Sequence, residues 1–247
     1  MDTCFLFIND MKDMDDAGCF FLKVSANGQL LIAPKYCSFE EIASLQQNST
    51  TLVVDTCENT SIFSLELSWL PERKARMAIP YALEEHLAQP IEELHFAFDK
   101  LRYQDRHYLV TIISKARIQM LMQKLSEHRI EYKLITTDWF ALSPQELVIC
   151  QETLLVHQTD FKGALSADLA INYLNKHPFN PPLVFQDTKL DIKSEVVHKD
   201  EHPYTWIAQR LLKSSPLNLC QGTMEHGKET AWIEKGYYWT TALACIW

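Results

Sequence analysis

PERKARMAIPYALEEHLAQPIEELHFAFDK, residues 71–100, changes character at its middle. Its first half steps by three and four: Ala75, Ala78, Ile79, Ala82, Leu83 and Leu87 fall on one helical face. Its second half, past Pro90, steps by two: Leu94, Phe96 and Phe98 alternate with His95, Ala97 and Asp99, the period of a strand. Pro71 suits a first helical turn, where its missing N–H would have had no partner. Pro80 removes a bond inside the pattern and meets the carbonyl of Arg76, which predicts a kink or two helical pieces.

The charges of this helix run against its dipole. Arg73, Lys74 and Arg76 sit near its start, and Glu84 and Glu85 near its end. Each exposed charge so placed costs about 0.3–1 kcal/mol, and a Glu72–Arg76 pair at i,i+4 recovers part of it. A plain solvated face and a face shaped for a partner both fit this order.

On the N-terminal side, TCFLFIN (3–9) and GCFFLKV (18–24) read as strands joined by the acidic loop Asp10–Asp16. Asn27-Gly28 is a hairpin signal before QLLIAP. Ser38 with Glu41 forms a capping-box start for a short helix, and TLVVD (51–55) and SIFSLEL (61–67) are further strands. The first 70 residues therefore read β-β-β-α-β-β.

Beyond Lys100, HYLVTIIS (107–114) pairs back on 94–100. Ser114 can cap a helix with the stripe Ile118, Leu121, Met122 and Leu125, and IEYKLITT (130–137) is a strand. The remainder supplies strands at 146–151, 152–158, 161–166, 183–186 and 194–199, with helices over 167–176 and 203–213. That last block, β-β-β-α-β-β-α, repeats the order of the first.

The 247 residues are 47% hydrophobic and 22% charged, a globular composition. The net charge of −9 argues against nucleic acid as a partner, since that binding needs a basic field. Seven scattered cysteines without a CxxC pair fit reduced thiols better than a disulfide framework. GYYWTTALACIW (236–247) is uncharged and aromatic-rich. Its twelve residues fall short of the roughly 20 that span a bilayer, so the start of a membrane helix and a buried C-terminal element both fit. Lys228 and Lys235 before it give a weak positive-inside signal.

Two similar β-rich halves around an α/β insert resemble the actin-like fold, two ribonuclease-H-type lobes with a small inserted domain. LPERKARMAIPYALEEHLAQPIEELHF (70–96) resembles the cytoplasmic part of the type II secretion system inner-membrane protein L family, with its "LE" helix at Leu83-Glu84 and its "LH" strand at Leu94-His95. ITTDWFALS (135–143) is similar to the family's "PDxxxLP" stretch through Asp138 and Leu142, with Thr137 and Ser143 in place of the prolines. Asn218 to Gly222, NLCQG, resembles the family's "NLLQG".

The resemblance implies an α/β architecture with a first lobe over 1–70, an inserted α-β-β-α-β domain over 71–136, a second lobe over 137–222, and a juxtamembrane linker with the start of a membrane helix over 223–247. It implies a bacterial inner-membrane scaffold rather than an enzyme. Its expected partners are the N-terminal domain of the secretion ATPase, protein M of the same system and, in addition, a second copy of the chain. No cofactor and no metal are expected. Glu84, Glu85, Glu92 and Glu93 are the candidate partner interface, an acidic rim for a basic surface; adjacent carboxylates on a helix diverge, which disfavours an acid/base pair.

The alternatives are a nucleotide-binding actin-like ATPase or a pilus-assembly adaptor. Nucleotide-binding members carry a glycine-rich phosphate turn between the first two strands. Asn9-Asp10 stands there, with no glycine before Gly18, and Trp139-Phe140 stand where a second such turn is expected. Gly222 to Lys228 has the spacing of a P-loop but is followed by Glu229 and preceded by no strand, so it is read as chance. Asp10, Asp13, Asp15 and Asp16 lack the glycine and final glutamate of a calcium loop.

Overall fold

The computed structural model of the protein describes residues 1–8, 18–177, 180–186, 188–190, 192 and 195–225. The acidic loop with Asn9-Asp10, the last three residues of the P-loop-like segment and the Gly236–Trp247 run lie outside the described residues.

The first sheet is built around β1 (Thr3–Ile8), all six residues of which are buried. β2 (Gly18–Val24) runs antiparallel to it, β3 (Leu30–Ser38) antiparallel to β2, and β4 (Thr50–Asp55) parallel to β1 on the other side. Gly28 adopts φ +79°, the conformation for which the turn needs glycine. α1 (Phe39–Leu45) carries the expected capping box: the Glu41 N–H donates to Ser38 Oγ at 3.2 Å, and the Ser38 N–H donates to Glu41 Oε2 at 3.0 Å.

After β4 the chain leaves this sheet. β5 (Thr60–Glu66), β6 (Leu94–Phe98) and β7 (His107–Ser114) form a separate antiparallel sheet in the order β5-β7-β6. α2 (Glu72–Leu83) covers it, setting Ala75, Ile79 and Leu83 on Leu94, Phe98, Tyr108 and Val110. The helix runs through Pro80. Pro71 is its N-cap rather than its first residue, its carbonyl accepting from the N–H groups of Lys74 and Ala75.

The chain then returns. α3 (Lys115–Glu127) buries Ile118, Leu121 and Leu125 in the core under the first sheet, and β8 (Leu134–Thr137) joins that sheet parallel to β4. The first sheet thus has the order β3-β2-β1-β4-β8. The second contains β9 (Glu146–Cys150), β10 (Thr153–His157), β11 (Lys162–Leu165), β12 (Leu183–Phe185) and β13 (Val197–Lys199), in the order β11-β10-β9-β12-β13. With α4 (Ala167–Lys176) matching α1 between its third and fourth strands, the connectivity of the two lobes is the same: an antiparallel meander, a helix, then two parallel strands on the far side of the first. This is the actin-like arrangement the sequence predicts.

Sheet membership corrects two expectations. SIFSLEL was expected in the first lobe and pairs with the inserted sheet; the 130–137 strand was expected in the insert and is the fifth strand of the first lobe. The sheets therefore cut the chain at other places than 70/71 and 136/137, and the insert lies inside the first lobe, between its fourth and fifth strands. Burial supplies the reason. Ile135, Thr136 and Thr137 are all buried, as a strand covered on both faces must be, whereas β5 buries only Ile62 and exposes Ser61, Ser64 and Glu66.

α5 (Pro203–Ser214) joins the lobes. Tyr204 stacks on Phe7 of β1 with centroids 4.3 Å apart, and Trp206 meets Phe185 of β12 at 5.9 Å. Ile207 and Leu211 are buried, as their spacing predicts. The six cysteines among the described residues are free thiols, five of them buried.

Candidate functional site

The four predicted interface glutamates lie in the crossover between α2 and β6. Glu84 and Glu85 begin a 3-10 turn at the end of α2, and Glu92 and Glu93 occupy a second such turn before β6. All four are exposed, and none has an ion-pair partner among the described residues. Lys115 reaches the second turn but donates to the backbone carbonyl of Glu92, leaving both carboxylates to solvent. Glu72 is the acid of this helix that is used, bonding Arg76 at 2.9 Å and Lys100 at 3.1 Å.

β6 itself is buried on both faces. Leu94, Phe96 and Phe98 pack toward α2, while Ala97 joins the main core and His95 is 6% exposed. The partner of His95 is Asn218–Gly222. His95 Nε2 lies 2.7 Å from the Leu219 carbonyl, which only accepts, so Nε2 carries the proton. Gln221 Oε1 accepts from the Phe98 N–H at 3.3 Å and from Arg76 Nη2 at 3.2 Å. On the other side, the Leu219 N–H donates to the Ile135 carbonyl at 2.7 Å, and the Ile135 N–H donates to Asn218 Oδ1 at 3.3 Å. The segment lies along the open edge of β8 and fastens it to the inserted sheet. A groove of about 1030 Å³ opens beside it, lined by Arg73, Arg76, Lys100, Gln221 and Glu225 among others.

Burial lowers the pKa of His95, and the hydrogen bond to Leu219 only partly opposes this. The unfolded chain then binds more protons than the folded one, so stability is complete above the unfolded value near 6.5 and falls as pH drops below it. Urea unfolding of His95→Gln, whose amide can still donate, is expected to lose this component. The stability gap between parent and variant should narrow toward acid pH, at up to about 1.4 kcal/mol per pH unit, the limit for one proton. A gap that does not change with pH overturns the buried neutral imidazole.

The ends of β4 and β8 hold the other polar cluster. Asp55 and Thr137 are paired neighbours there. Asp55 is fully buried and takes both Arg117 Nε at 2.7 Å and Nη2 at 2.6 Å. Burial pushes its carboxyl up and Arg117 pulls it back; because the guanidinium keeps its proton, the bidentate pair is ionic. Asp138 accepts from the Cys57 N–H at 2.9 Å and from Thr137 Oγ1 at 3.0 Å. Burial pushes its pKa up to about 7. Cys57 is a poor nucleophile, since burial drives its thiol well above the usual range. Trp139 and Phe140, 1% and 3% exposed, fill the next positions, and the indole N–H donates to the Val156 carbonyl at 2.7 Å.

The family profile of type II secretion system protein L matches residues 16–226. The chain belongs to the type II secretion system protein L family. The cytoplasmic domain of EpsL, an inner-membrane component of the type II secretion system of Vibrio cholerae, superimposes with a TM-score of 0.71 at 19% identity, covering 91% of this chain and 100% of that one. The PilM–PilN type IV pilus biogenesis complex gives 0.44 at 15% identity over 72% of this chain and 66% of that one. A Bacteroides thetaiotaomicron protein with an actin-like ATPase fold and unknown function gives 0.40 at 11% over 86% and 89%. No curated protein matches by sequence.

Within this protein L chain, the motif residues fall into two groups. Glu84 is exposed on the rim, whereas His95, Asp138 and Asn218–Gly222 are interior fastenings. In the sequence, alternation places His95 with Ala97 and Asp99 on the side opposite Leu94, Phe96 and Phe98 and says nothing of its partner. The available signal was the amide-rich NLCQG run, whose side chains complete an edge that has no neighbouring strand.

Proposed function

We propose that the protein is a non-enzymatic scaffold of the type II secretion machine, held at the bacterial inner membrane, whose cytoplasmic lobes recruit the secretion ATPase. The family match over residues 16–226 carries this reading. Membrane attachment through Gly236–Trp247 and pairing with protein M belong to the same proposal, and the family match supports them. The buried Trp139-Phe140 pair, standing where the second phosphate turn of a nucleotide-binding member is expected, supports a scaffold.

The ATPase contact is the rim of Glu84, Glu85, Glu92 and Glu93. Unpaired exposed carboxylates attract a basic partner from a distance, raise its on-rate and lose that effect in salt. Changing all four to Lys is expected to reduce capture of the ATPase N-terminal domain by tenfold or more at 100 mM salt. The secondary structure should stay that of the parent, because none of the four carboxylates supports another described residue. Unchanged capture removes the rim from the contact.

A further inference from the structure

α2 and β6 on one side and residues 221–223 on the other enclose a cavity of about 270 Å³. Its floor is apolar and includes Ile79, Pro80, Ile91 and Phe96. Arg76 and Lys115 stand beside that floor, and no carboxylate lines the cavity among the described residues. Both cations have donors to spare. Lys115 gives one hydrogen bond, to the Glu92 carbonyl, and has no ion-pair partner among the described residues, whereas an ammonium carries three donors. Arg76 directs Nε and Nη2 to Glu72 and Gln221, and its Nη1 makes no hydrogen bond among the described residues. Gly222 lies beside that nitrogen. A Cβ there would come 3.6 Å from Nη1, so the bare backbone leaves it uncovered.

The groove of about 1030 Å³ described above continues the cavity past Arg76, and Phe98, Gln221 and Gly222 line both. Beyond Arg76 the walls change character. Asn218, Gln221 and Thr223 offer amide and hydroxyl groups, and Arg73 stands there without an ion-pair partner among the described residues.

These walls select an occupant. A small anion such as phosphate leaves the apolar floor unfilled. An uncharged apolar group covers two cations without a counter-charge, which is unfavourable. A basic segment is repelled. A carboxylate next to a large apolar side chain matches both parts. The polar continuation favours a peptide over a lipid, since an acyl chain would meet amides and charges beyond Arg76, whereas an extended backbone can bond them.

We propose that this groove docks an extended acidic peptide of a partner protein, with a large apolar side chain on Ile91 and Phe96 and carboxylates on Lys115 and Arg76. The site is separate from the ATPase rim and opposite to it in charge. Lys115 ties the two together at the Glu92 turn, so one insert presents an acidic surface and a basic pocket to different partner segments.

Selection of random twelve-residue peptides, displayed on phage, against the 247-residue chain in detergent tests it. The enriched sequences are expected to place Asp or Glu within two positions of an aromatic residue or Leu. The strongest of them, synthesised with a fluorescent label, should bind Lys115→Glu about tenfold or more weakly than the parent, and should weaken in salt. Changing one Asp or Glu of the peptide to Lys should restore binding to Lys115→Glu. Glu92→Lys with Glu93→Lys should not weaken the peptide while ATPase capture falls, so the two sites fail separately. Circular dichroism checks that each variant keeps the parent's secondary structure. Selection that enriches no peptide, or only basic ones, overturns the proposal. So does an acidic peptide bound equally by the parent, Lys115→Glu and Arg76→Gln. Retention on phosphatidylglycerol vesicles that Lys115→Glu abolishes, with no peptide selected, overturns it in favour of an anionic lipid.

Discussion

Asp55→Ala is expected to lower the free energy of unfolding by about 3–5 kcal/mol, the cost of leaving one partner of a buried ion pair alone. Asp55 is the last residue of β4 before the chain leaves the first lobe, and Arg117 lies in the first turn of α3, where the chain comes back. Their contact therefore pins together the two ends of the insert. Arg117 is itself mostly covered, with a side chain 10% exposed, so removing the carboxylate strands a guanidinium that cannot shed its proton. Urea unfolding measures the loss. The double variant Asp55→Ala with Arg117→Met separates the two contributions: it should be more stable than Asp55→Ala alone, since the stranded charge is gone. Equal stability of the single and double variants would mean that the guanidinium reaches solvent and the pair is not buried in effect. ATPase capture by Asp55→Ala, measured below its unfolding transition, should also weaken if the insert carries the rim and is no longer held at its base.

Such a contact is not visible in the sequence. The two residues are far apart in the chain, and neither sits in a pattern. What was visible is what repeats locally. The unbroken apolar run of β1, the Ser38–Glu41 cap and the helix over Ala167–Lys176 follow from period and capping chemistry, and each stands where the sequence puts it. The matching order of elements in the two halves could be read the same way. Sheet membership could not. β5 and β8 both read as strands from their composition, but which sheet a strand joins depends on edges supplied by distant segments. The exposure of Glu84 and Glu85 was legible, because the stripe ending in Leu83 and Leu87 fixes which side faces the core. The seating of His95 on Leu219 was not, since a single histidine at an alternating position carries no mark of a backbone carbonyl brought to it from the chain's far end.

The other large effect is expected at Trp139. Trp139→Ala should cost about 3–5 kcal/mol, through the lost burial of the ring and the cavity that remains. The indole is 1% exposed, meets Phe140 edge-on at 5.3 Å and lies 4.3 Å from the His157 ring. Its N–H bond to Val156 reaches from the end of the first lobe's last strand into β10 of the second lobe, so the loss falls on the junction of the lobes rather than inside one. Trp139→Phe distinguishes the parts. It keeps much of the ring and leaves the Val156 carbonyl without its donor, and should cost about 1–3 kcal/mol. Limited proteolysis gives a second reading. Ser143–Gln145, between the 3-10 turn at Asp138–Ala141 and β9, should become cleavable in Trp139→Ala while each lobe survives as a fragment. If Trp139→Ala instead loses less than about 1 kcal/mol and resists cleavage there, the lobes are held chiefly by α5, through Tyr204 on Phe7 and Trp206 on Phe185. The bulky residue would then have to be explained by what it keeps out of the space between the lobes rather than by what it holds together.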